Sequence, residues 1–200
     1  KVAAGVKVGV MVSAVANGPK TVDLYSEKTA EIKTLKIGPW IKDRILLVDL
    51  GFYKTQMFAR VEEYGGYFVS RIKKNMDPII DSIEEGIPET EKGKFIGKHV
   101  RECIEQLQGE SIDTTVKLKF KRRIYKGKQK KDVIRVRLIA VYNVEAKKYH
   151  IYITNIQKDV LDSEDIAKLY GVRWDIELLF KELKGEYKLD VLDTKNVQII

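Results

Sequence analysis

Residues 170–184 read Tyr-Gly-Val-Arg-Trp-Asp-Ile-Glu-Leu-Leu-Phe-Lys-Glu-Leu-Lys, and their spacing predicts a helix. At about 100° per residue, Tyr170, Arg173, Glu177 and Lys184 fall within a wedge of roughly 60°, because offsets of three, seven and fourteen return to one face. A neighbouring apolar stripe is the face that a surface helix buries, and its members are Leu169, Val172, Ile176, Leu179, Phe180 and Leu183. Glu177 therefore lies at the margin of the buried stripe, between two cations.

The spacing of this helix allows two interpretations. An amphipathic helix with solvated ion pairs shows the same i, i+4 arrangement of carboxylates and cations. A carboxylate between buried packing and a row of cations also suits a metal ligand that works beside a polyanion. Both interpretations stay open on helical spacing alone.

The four polar positions of the helix match a known motif. The pattern Tyr-x2-Arg-x3-Glu-x6-Lys, with Trp174 directly after the Arg, resembles the signature box of prokaryotic insertion-sequence transposases of the DDE class. The resemblance implies that Glu177 is the third catalytic carboxylate of that family. It also implies that Tyr170, Arg173 and Lys184 contact phosphates of transposon-end DNA.

A second acidic residue follows a short apolar run. Residues 45–53 read Ile-Leu-Leu-Val-Asp-Leu-Gly-Phe-Tyr, which is typical of a buried strand. Asp49 lies at the carboxyl end of that strand, where open α/β sheets have their sites. The alternative is that Asp49 caps a helix starting near Thr55. The Asp-x-Gly-Phe-Tyr segment also resembles the second catalytic Asp box of the same transposases, which implies a catalytic role for Asp49.

The first catalytic Asp of the family has no match inside the chain. In the resembled family it lies on the strand before the segment that corresponds to residues 1–16. Asp23 lies on a predicted strand but too close before Asp49 in the sequence. The chain also begins without Met, directly on strand-like residues. We therefore expect a fragment of a longer protein, with the missing Asp before Lys1, that is inactive alone.

Alternating apolar residues predict strands in both halves of the chain. The predicted strands lie within residues 1–16, at 21–25 after an Asn17-Gly18 turn, at 67–72, and at three positions within 115–154. A helix is predicted from Thr55 to Tyr64, and it ends at Gly65-Gly66. In the less regular segment 73–110, we predict a short helix that opens at Asp77-Pro78 and ends before Gly86. A second helix is predicted there from Phe95 to Gln108.

The first two predicted strands of residues 115–154 and the loop between them are strongly basic. Eleven Lys or Arg and a single acid, Asp132, lie between Lys117 and Arg137. Lysine can protect sheet edges from aggregation. A run this one-sided, with a basic loop at residues 125–131, favours phosphate contacts instead.

The segment before the signature helix contains a cap and a helix breaker. Asp162-Ser163 is predicted to cap the next helix, with acidic residues in its first turn. Gly171 inside the helical pattern costs about 1 kcal/mol relative to Ala and predicts a break just before Arg173. Such a break changes the direction of Tyr170 but leaves Arg173, Glu177 and Lys184 on one face.

Composition limits the possible functions. The chain has 200 residues, 44% of them hydrophobic, 33% charged residues and a formal net charge of +8, which favours a polyanionic partner. The single Cys103 excludes a disulfide framework and a Cys-based zinc site within the chain, and we expect it to pack in the interior. No apolar run reaches the length of a membrane span.

The sequence thus predicts a ribonuclease-H-like α/β fold, with a mixed sheet, flanking helices and a β-rich insertion. Residues 1–72 would begin the catalytic core, residues 73–157 form the insertion, and residues 158–200 contain the helix that bears Glu177. The resemblance implies Mg²⁺ or Mn²⁺ bound by Asp49 and Glu177, and cleavage and joining of double-stranded DNA at transposon ends and target. It further implies a homodimer in the synaptic complex and action at the nucleoid in the cytoplasm. Two alternatives are a non-catalytic nucleic-acid-binding module and a metal-dependent nuclease on the same fold.

Overall fold

The computed structural model describes residues 6–16, 18–107, 111–122, 124 and 127–186, except the side chains of residues 18, 183 and 184. The strands are β1 Val6–Ser13, β2 Gly18–Ser26, β3 Ile45–Val48, β4 Tyr67–Arg71, β5 Ile79–Glu85, β6 Ile112–Lys121, β7 Lys131–Asn143 and β8 Lys148–Thr154. The helices are α1 Glu31–Thr34, α2 Thr55–Glu63, α3 Glu89–Phe95, α4 Val100–Ile104, α5 Ser163–Gly171 and α6 Trp174–Gly185. The chain divides into two compact units, residues 37–170 and residues 1–36 with 171–200.

A six-stranded mixed sheet forms the centre of residues 37–170. Its strand order is β3-β4-β8-β7-β6-β5. β3 and β4 are parallel and are joined through α2, whereas the remaining neighbours are antiparallel. The predicted α/β class with a mixed sheet and flanking helices is confirmed. β3 lies at one end of this strand order, and of its residues only Val48 is buried, so it is less buried than the apolar run suggests.

The helix between the parallel strands packs on the sheet through aromatic side chains. Phe58 of α2 and Val61 are fully buried, as is Phe68 of β4 at 1% exposure. The rings of Phe58 and Phe68 stack with centroids 4.4 Å apart, and Tyr53 meets Phe58 edge to face at 5.0 Å. Aromatic pairs of this kind add about 1 kcal/mol to the apolar area that they bury. This packing fixes the turn between β3 and α2, which carries Asp49.

The predicted helix after Asp77-Pro78 is wrong, because residues 79–85 form strand β5. β5 pairs antiparallel with β6, and its register shifts between Ile80 and Ser82 and again between Ile83 and Glu85. A bulge adds a residue to one strand and re-aims the side chains after it. Ile80 and Ile83 are therefore both buried although they are three positions apart in one strand, a spacing that imitates a helix.

The predicted helix from Phe95 to Gln108 is interrupted. α3 ends at Phe95, and α4 runs only from Val100 to Ile104. Gly97 between them has a positive φ of 86°, a conformation that glycine adopts readily and that ends a helix. Gln108 lies outside the described residues.

The three strands predicted within residues 115–154 are confirmed as β6, β7 and β8. They belong to the same sheet as β3 and β4, because Val69 of β4 pairs with Thr154 of β8. The boundaries of the β-rich insertion at residues 73 and 157 stay a prediction. The sheet itself is continuous across the first of these boundaries.

The other unit contains the predicted hairpin. β1 and β2 pair antiparallel from Val6 opposite Ser26 to Ser13 opposite Gly18, while Asn17 lies outside the described residues. Tyr25 donates a hydrogen bond to the carbonyl of Thr34 at 3.0 Å. This bond ties β2 to α1.

Candidate active site

Asp49 directly follows β3 and is exposed. A short 3₁₀ turn, Leu50–Phe52, comes next, and the Asp49 side chain makes no capping hydrogen bond to it. The N-cap position of α2 is Lys54, not Asp49, and the Lys54 side chain makes no capping hydrogen bond. Asp49 therefore does not cap α2. The Asp49 carboxylate lies at the carboxyl end of a strand, where ligands commonly bind in α/β sheets.

The peptide bond before Asp49 is held by two side chains. The carbonyl of Val48 accepts a hydrogen bond from Ser70 Oγ at 3.1 Å and a longer one from the Tyr170 hydroxyl at 3.4 Å. Ser70 lies on β4 directly opposite Val48, and Tyr170 lies on α5. A carbonyl oxygen has two lone pairs and can accept from both donors. Ser70 Oγ also lies 3.1 Å from the carbonyl of Arg71, and its single proton serves one acceptor at a time.

Tyr170 lies in the interior of its unit. It is 5% exposed and belongs to a buried cluster with Val69, Ile139, Tyr152, Ile156 and Ile166. Its ring lies 5.4 Å from that of Tyr152. The predicted contact of Tyr170 with DNA stays a prediction, but the hydroxyl points towards Val48 within the protein.

The helix break predicted at Gly171 is confirmed. α5 ends at Gly171 and α6 begins at Trp174. The predicted cap of α5 is also confirmed, because Asp162 Oδ1 accepts the backbone N–H of Asp165 at 2.8 Å. Tyr170 and Arg173 therefore belong to different helical segments, whereas Arg173 caps the helix that carries Glu177.

Arg173 and Glu177 form an ion pair. Arg173 Nη1 donates to Glu177 Oε1 at 2.7 Å, one turn apart, and the guanidinium carbon lies 5.5 Å from the Trp174 ring. The Glu177 side chain is still 45% exposed, so its carboxylate is open to further ligands. Lys184 lies within α6, and its side chain lies outside the described parts of the chain. This ion pair agrees with either sequence interpretation of the helix.

Sequence reasoning missed a buried ionic network at the start of α5. Arg137 donates from Nε and Nη2 to the Asp113 carboxylate at 2.6–3.0 Å, and from Nη1 to the carbonyl of Leu161 at 2.6 Å. Ser163 Oγ, at the first residue of α5, donates to the same carboxylate at 3.1 Å. The ion pair is almost completely buried, with side-chain exposures of 6% and 1%. Because Arg137 and Asp113 sit in strands whose neighbouring residues carry many charges, nothing in the local pattern marks them as buried.

The donor chemistry of the predicted metal ligands fits a hard divalent cation. Asp49 and Glu177 are both exposed carboxylates, and Mg²⁺ prefers carboxylate oxygens and water. Among the described residues, no group of three His, Cys, Asp or Glu side chains lies close enough to hold a metal ion. Asp49 and Glu177 lie in different compact units, and their predicted meeting at shared ions stays a prediction.

One face of the β6–β7 pair is densely cationic. Lys117 lies opposite Arg135, and Lys121 lies opposite Lys131; all four are exposed, as is Lys119. Asp81 of β5 pairs with Lys117 and Arg135, and the hydrogen bond from Lys117 holds the pKa of Asp81 below its usual range.

Three of these cations differ from the others. Lys119, Lys121 and Lys131, which we call the lysine strip, have no ion pair with any residue that the structure describes. Like charges directly opposite each other, as at Lys121 and Lys131, are unfavourable in a sheet. Residues 125 and 126 of the predicted basic loop lie outside the described residues.

The fold and the position of Asp49 define a class of protein. A mixed α/β sheet flanked by helices, with an acidic residue at the end of a strand, agrees with the ribonuclease-H-like fold that the sequence predicts. The model of the family described as "Transposase DDE domain" matches residues 3–198. The chain therefore belongs to the DDE transposase family. Members of this family act on DNA by phosphoryl transfer and generally use divalent metal ions.

Curated relatives are insertion-sequence transposases. The transposase for insertion sequence element IS1151 of Clostridium perfringens is 26% identical, over 84% of this chain and 41% of that protein. The transposase for IS231F of Bacillus thuringiensis subsp. israelensis is 24% identical, over 71% of this chain and 35% of that protein. The putative transposase InsL for IS186A of Escherichia coli K12 is 33% identical over 63 residues. The chain thus spans less than half the length of these relatives.

None of the helices in the described part of the chain has the length and apolar character that a membrane span needs.

Proposed function

We propose that this chain carries the catalytic core of a DNA transposase that cuts strands at the ends of an insertion sequence and joins them to target DNA. The observation that carries the proposal is the exposed Asp49 carboxylate directly after β3 in a chain of the DDE transposase family. Glu177, exposed on α6 beside Arg173, supplies the second carboxylate. Asp49 and Glu177 would hold Mg²⁺ or Mn²⁺, which would supply stabilisation of the negative charge that develops on the oxygens of a phosphoryl transfer.

The reaction has two steps of the same kind. In cleavage, a water oxygen bonds to phosphorus and gives up a proton, the bond from phosphorus to the 3′ oxygen breaks, and that oxygen takes up a proton to become a 3′-hydroxyl. In strand transfer, the freed 3′-hydroxyl loses its proton as its oxygen bonds to a target phosphorus, and the target's own 3′ oxygen leaves. Arg173 and Lys184 bind phosphate oxygens and keep the reacting strand in line.

Conservative substitutions of the carboxylates test the catalytic assignment. Asp49→Asn and Glu177→Gln keep the side-chain shape and remove a metal-binding charge, so in the full-length polypeptide that carries this sequence each should abolish cleavage of an end duplex while DNA binding persists. Glu182→Gln, an exposed change on the same helix as Glu177, is the control and should cleave normally. Cleavage retained by either test variant would exclude that residue from the catalytic set. An unfolded circular dichroism spectrum would make it structural instead.

Iron-directed backbone cleavage tests whether the two carboxylates share ions. Fe²⁺ that replaces the native ion produces hydroxyl radicals at its site, and these cut nearby peptide bonds. We expect cuts near residue 49 and near residue 177, and loss of both sets of cuts in Asp49→Asn and in Glu177→Gln. Cuts at only one of the two segments would contradict a shared site.

The salt dependence of binding tests the DNA-contact residues of the signature helix. Each lost phosphate contact lowers the slope of log affinity against log salt by about one unit. We expect this decrease for Arg173→Ala and for Lys184→Ala. Lys168→Ala removes an exposed lysine of α5 that pairs with Glu164 and should leave the slope unchanged. An unchanged slope in the test variants would mean that these cations only pair with neighbouring acids.

The lysine strip is proposed as a second phosphate-binding surface. Its three lysines are exposed on one face of the β6–β7 pair and lack ion pairs among the described residues, which leaves their charge available to a polyanion. Lys119→Ala should therefore lower the salt slope by about one unit. Lys117→Ala, two residues earlier on the same face but paired with Asp81, should lower it less. Equal effects of the two variants would contradict a role set by pairing.

The proposed transposition reaction also suggests an oligomeric state for the protein. Two transposon ends must be held together for coordinated joining, so we propose a homodimer in the synaptic complex, acting at the bacterial nucleoid in the cytoplasm. Light scattering of the protein with end duplex should give two protein chains per complex. One chain per two duplexes would contradict the dimer.

A further inference from the structure

The register of the central sheet gives the position of the lysine strip relative to Asp49. Asp49 directly follows β3, one residue beyond the pair that Val48 forms with Ser70. The same level of the sheet continues through β4 and β8 to Ile139 on β7. Lys131, the first residue of β7, lies eight positions before Ile139 on that strand. Asp49 and the lysine strip therefore belong to one sheet, at opposite ends of its strands.

The dimensions of a β-sheet convert this register into a distance. A strand rises about 3.4 Å per residue, so Lys131 lies about 27 Å below the level of Asp49 along the strand direction. β3 and β7 are three strand spacings apart, which adds about 14 Å across the sheet at about 4.8 Å per spacing. The lysine strip is thus about 30 Å from Asp49.

Asp49 and the lysine strip also share one face of the sheet. Side chains two positions apart in a strand point to the same face, and directly paired residues do so as well. Leu47, two positions before Asp49, packs against the buried cluster that contains Ile139, and Lys131 lies an even number of positions from Ile139. The ladders between β6, β7 and β8 run without a register shift over the pairs that the structure describes. The face of Asp49 therefore continues to the strip.

α5 covers only one end of this face. Arg137 is almost completely buried, and its guanidinium donates to the carbonyl of Leu161, just before α5. Arg135, two positions closer to the strip, has a side chain that is 61% exposed, and Lys131 is exposed as well. Within residues 37–170, the face beyond α5 is therefore an open cationic surface, suited to a long anionic ligand.

A DNA duplex has the length and the charge that this surface fits. A duplex rises about 3.4 Å per base pair, so a distance of about 30 Å corresponds to about nine base pairs. In the reaction proposed above, the end duplex occupies the site in both steps, whereas the target joins only in the second. The end duplex is therefore the ligand with which a fixed surface of the same sheet can act throughout.

We propose that the lysine strip binds transposon-end DNA at phosphates about eight to ten base pairs from the phosphate that reacts at Asp49. Lys121 and Lys131 lie opposite each other, and an anion that binds to both relieves their repulsion. The strip thus acts as a second point of attachment that sets the direction in which the duplex leaves the site. This inference rests on the proposed function, because it takes Asp49 as the place of cleavage.

Coupling between a single lysine and single phosphates tests the distance. Methylphosphonate linkages remove the charge of chosen phosphates in an end duplex, which is then bound without metal by the full-length polypeptide that carries this sequence. Neutral linkages about eight to ten base pairs from the cleavage site are placed in each arm of the duplex in turn. In one arm they should lower the salt slope of the unsubstituted protein by about one unit. In Lys119→Ala they should have no further effect, because that contact is already lost.

Two controls define this coupling. Lys168→Ala removes an exposed lysine of α5 that pairs with Glu164, and it should respond to the neutral linkages as the unsubstituted protein does. Linkages within about three base pairs of the cleavage site should weaken binding equally in the unsubstituted protein and in Lys119→Ala, because about 30 Å separates Lys119 from that end of the sheet.

Three results would overturn the inference. Losses that add fully in Lys119→Ala at every position would show that this lysine does not meet those phosphates. Coupling confined to phosphates next to the cleavage site would contradict the distance. Normal binding of Lys119→Ala to the end duplex, together with slower joining to target, would assign the strip to target DNA. Failure of the proposed function is distinguishable, since cleavage would then persist in Asp49→Asn whatever the coupling of Lys119.

Discussion

Arg137→Met provides the sharpest test of how the sheet supports α5. The substitution keeps a long side chain and removes every donor of the guanidinium. Asp113 then keeps the hydrogen bond from Ser163 but loses three from Arg137, and the carbonyls of Leu161 and Ile156 lose a donor. A carboxylate at 1% exposure is thereby left without its cation.

The expected loss of stability is large because both partners are buried. Removing one partner of a buried pair costs about 3–5 kcal/mol, mostly because the remaining charge has no compensation. With a urea dependence of about 1–3 kcal/mol per molar, the unfolding midpoint should fall by about 1–5 M. Replacing both partners, as in Asp113→Val with Arg137→Met, should recover most of this loss, since apolar replacements of buried pairs are often neutral.

The matched control lies two residues away on the same strand. Arg135 also pairs with an aspartate, Asp81, but its side chain is 61% exposed, so Arg135→Met should leave the midpoint almost unchanged. Urea unfolding followed by circular dichroism compares the variants under one set of conditions. Equal midpoints for Arg135→Met and Arg137→Met would refute the argument from burial. A double variant as unstable as Arg137→Met would refute the argument from uncompensated charge.

Three further predictions concern single buried or strained residues. The Tyr53 hydroxyl is buried without a hydrogen-bond partner among the described residues, so Tyr53→Phe should raise the free energy of unfolding by about 1 kcal/mol; a loss of stability in urea would contradict this. Burial also raises the pKa of Tyr53 from 10.0 to about 12, so an unfolded chain loses this proton first and stability should fall as the pH rises from about 10 to about 12. In Tyr53→Phe, that part of the fall should be absent. Gly86→Ala should destabilise by at least about 2 kcal/mol, because φ is +91° and the new Cβ would lie 2.1 Å from the Ser111 carbonyl oxygen. Gly97→Ala, with φ +86° and open space, should cost about 1 kcal/mol, and equal losses would exclude the steric contact. Burial raises the pKa of Cys103 to about 11, so a thiol reagent at pH 8 should label it only after urea is added, and rapid native labelling would show that the thiol is accessible.

The elements that local patterns predicted well are those whose residues repeat with one clear period. β6 and β7 contain runs of alternating apolar and charged residues, and the structure has both as strands. The cap at Asp162 and the break at Gly171 were also predictable, because a short acidic side chain and a residue without Cβ act on their own backbone neighbours. β5 was not predictable, since its bulges arise from pairing with β6, a strand that follows it by more than twenty-five residues.

The sequence by itself determined the candidate chemistry. The spacing of Arg173, Glu177 and Lys184 and the position of Asp49 after an apolar run depend only on residues near each other in the chain, and the match to the DDE transposase family covers nearly all of it. Only the tertiary structure decided the surroundings of Tyr170 and Arg137. Periodicity gave Tyr170 the same face as Glu177, but burial against strands distant in sequence directs its hydroxyl to Val48. Burial is a sum over neighbours from the whole unit, so no local pattern can distinguish the exposed Arg135 from the buried Arg137 two residues later.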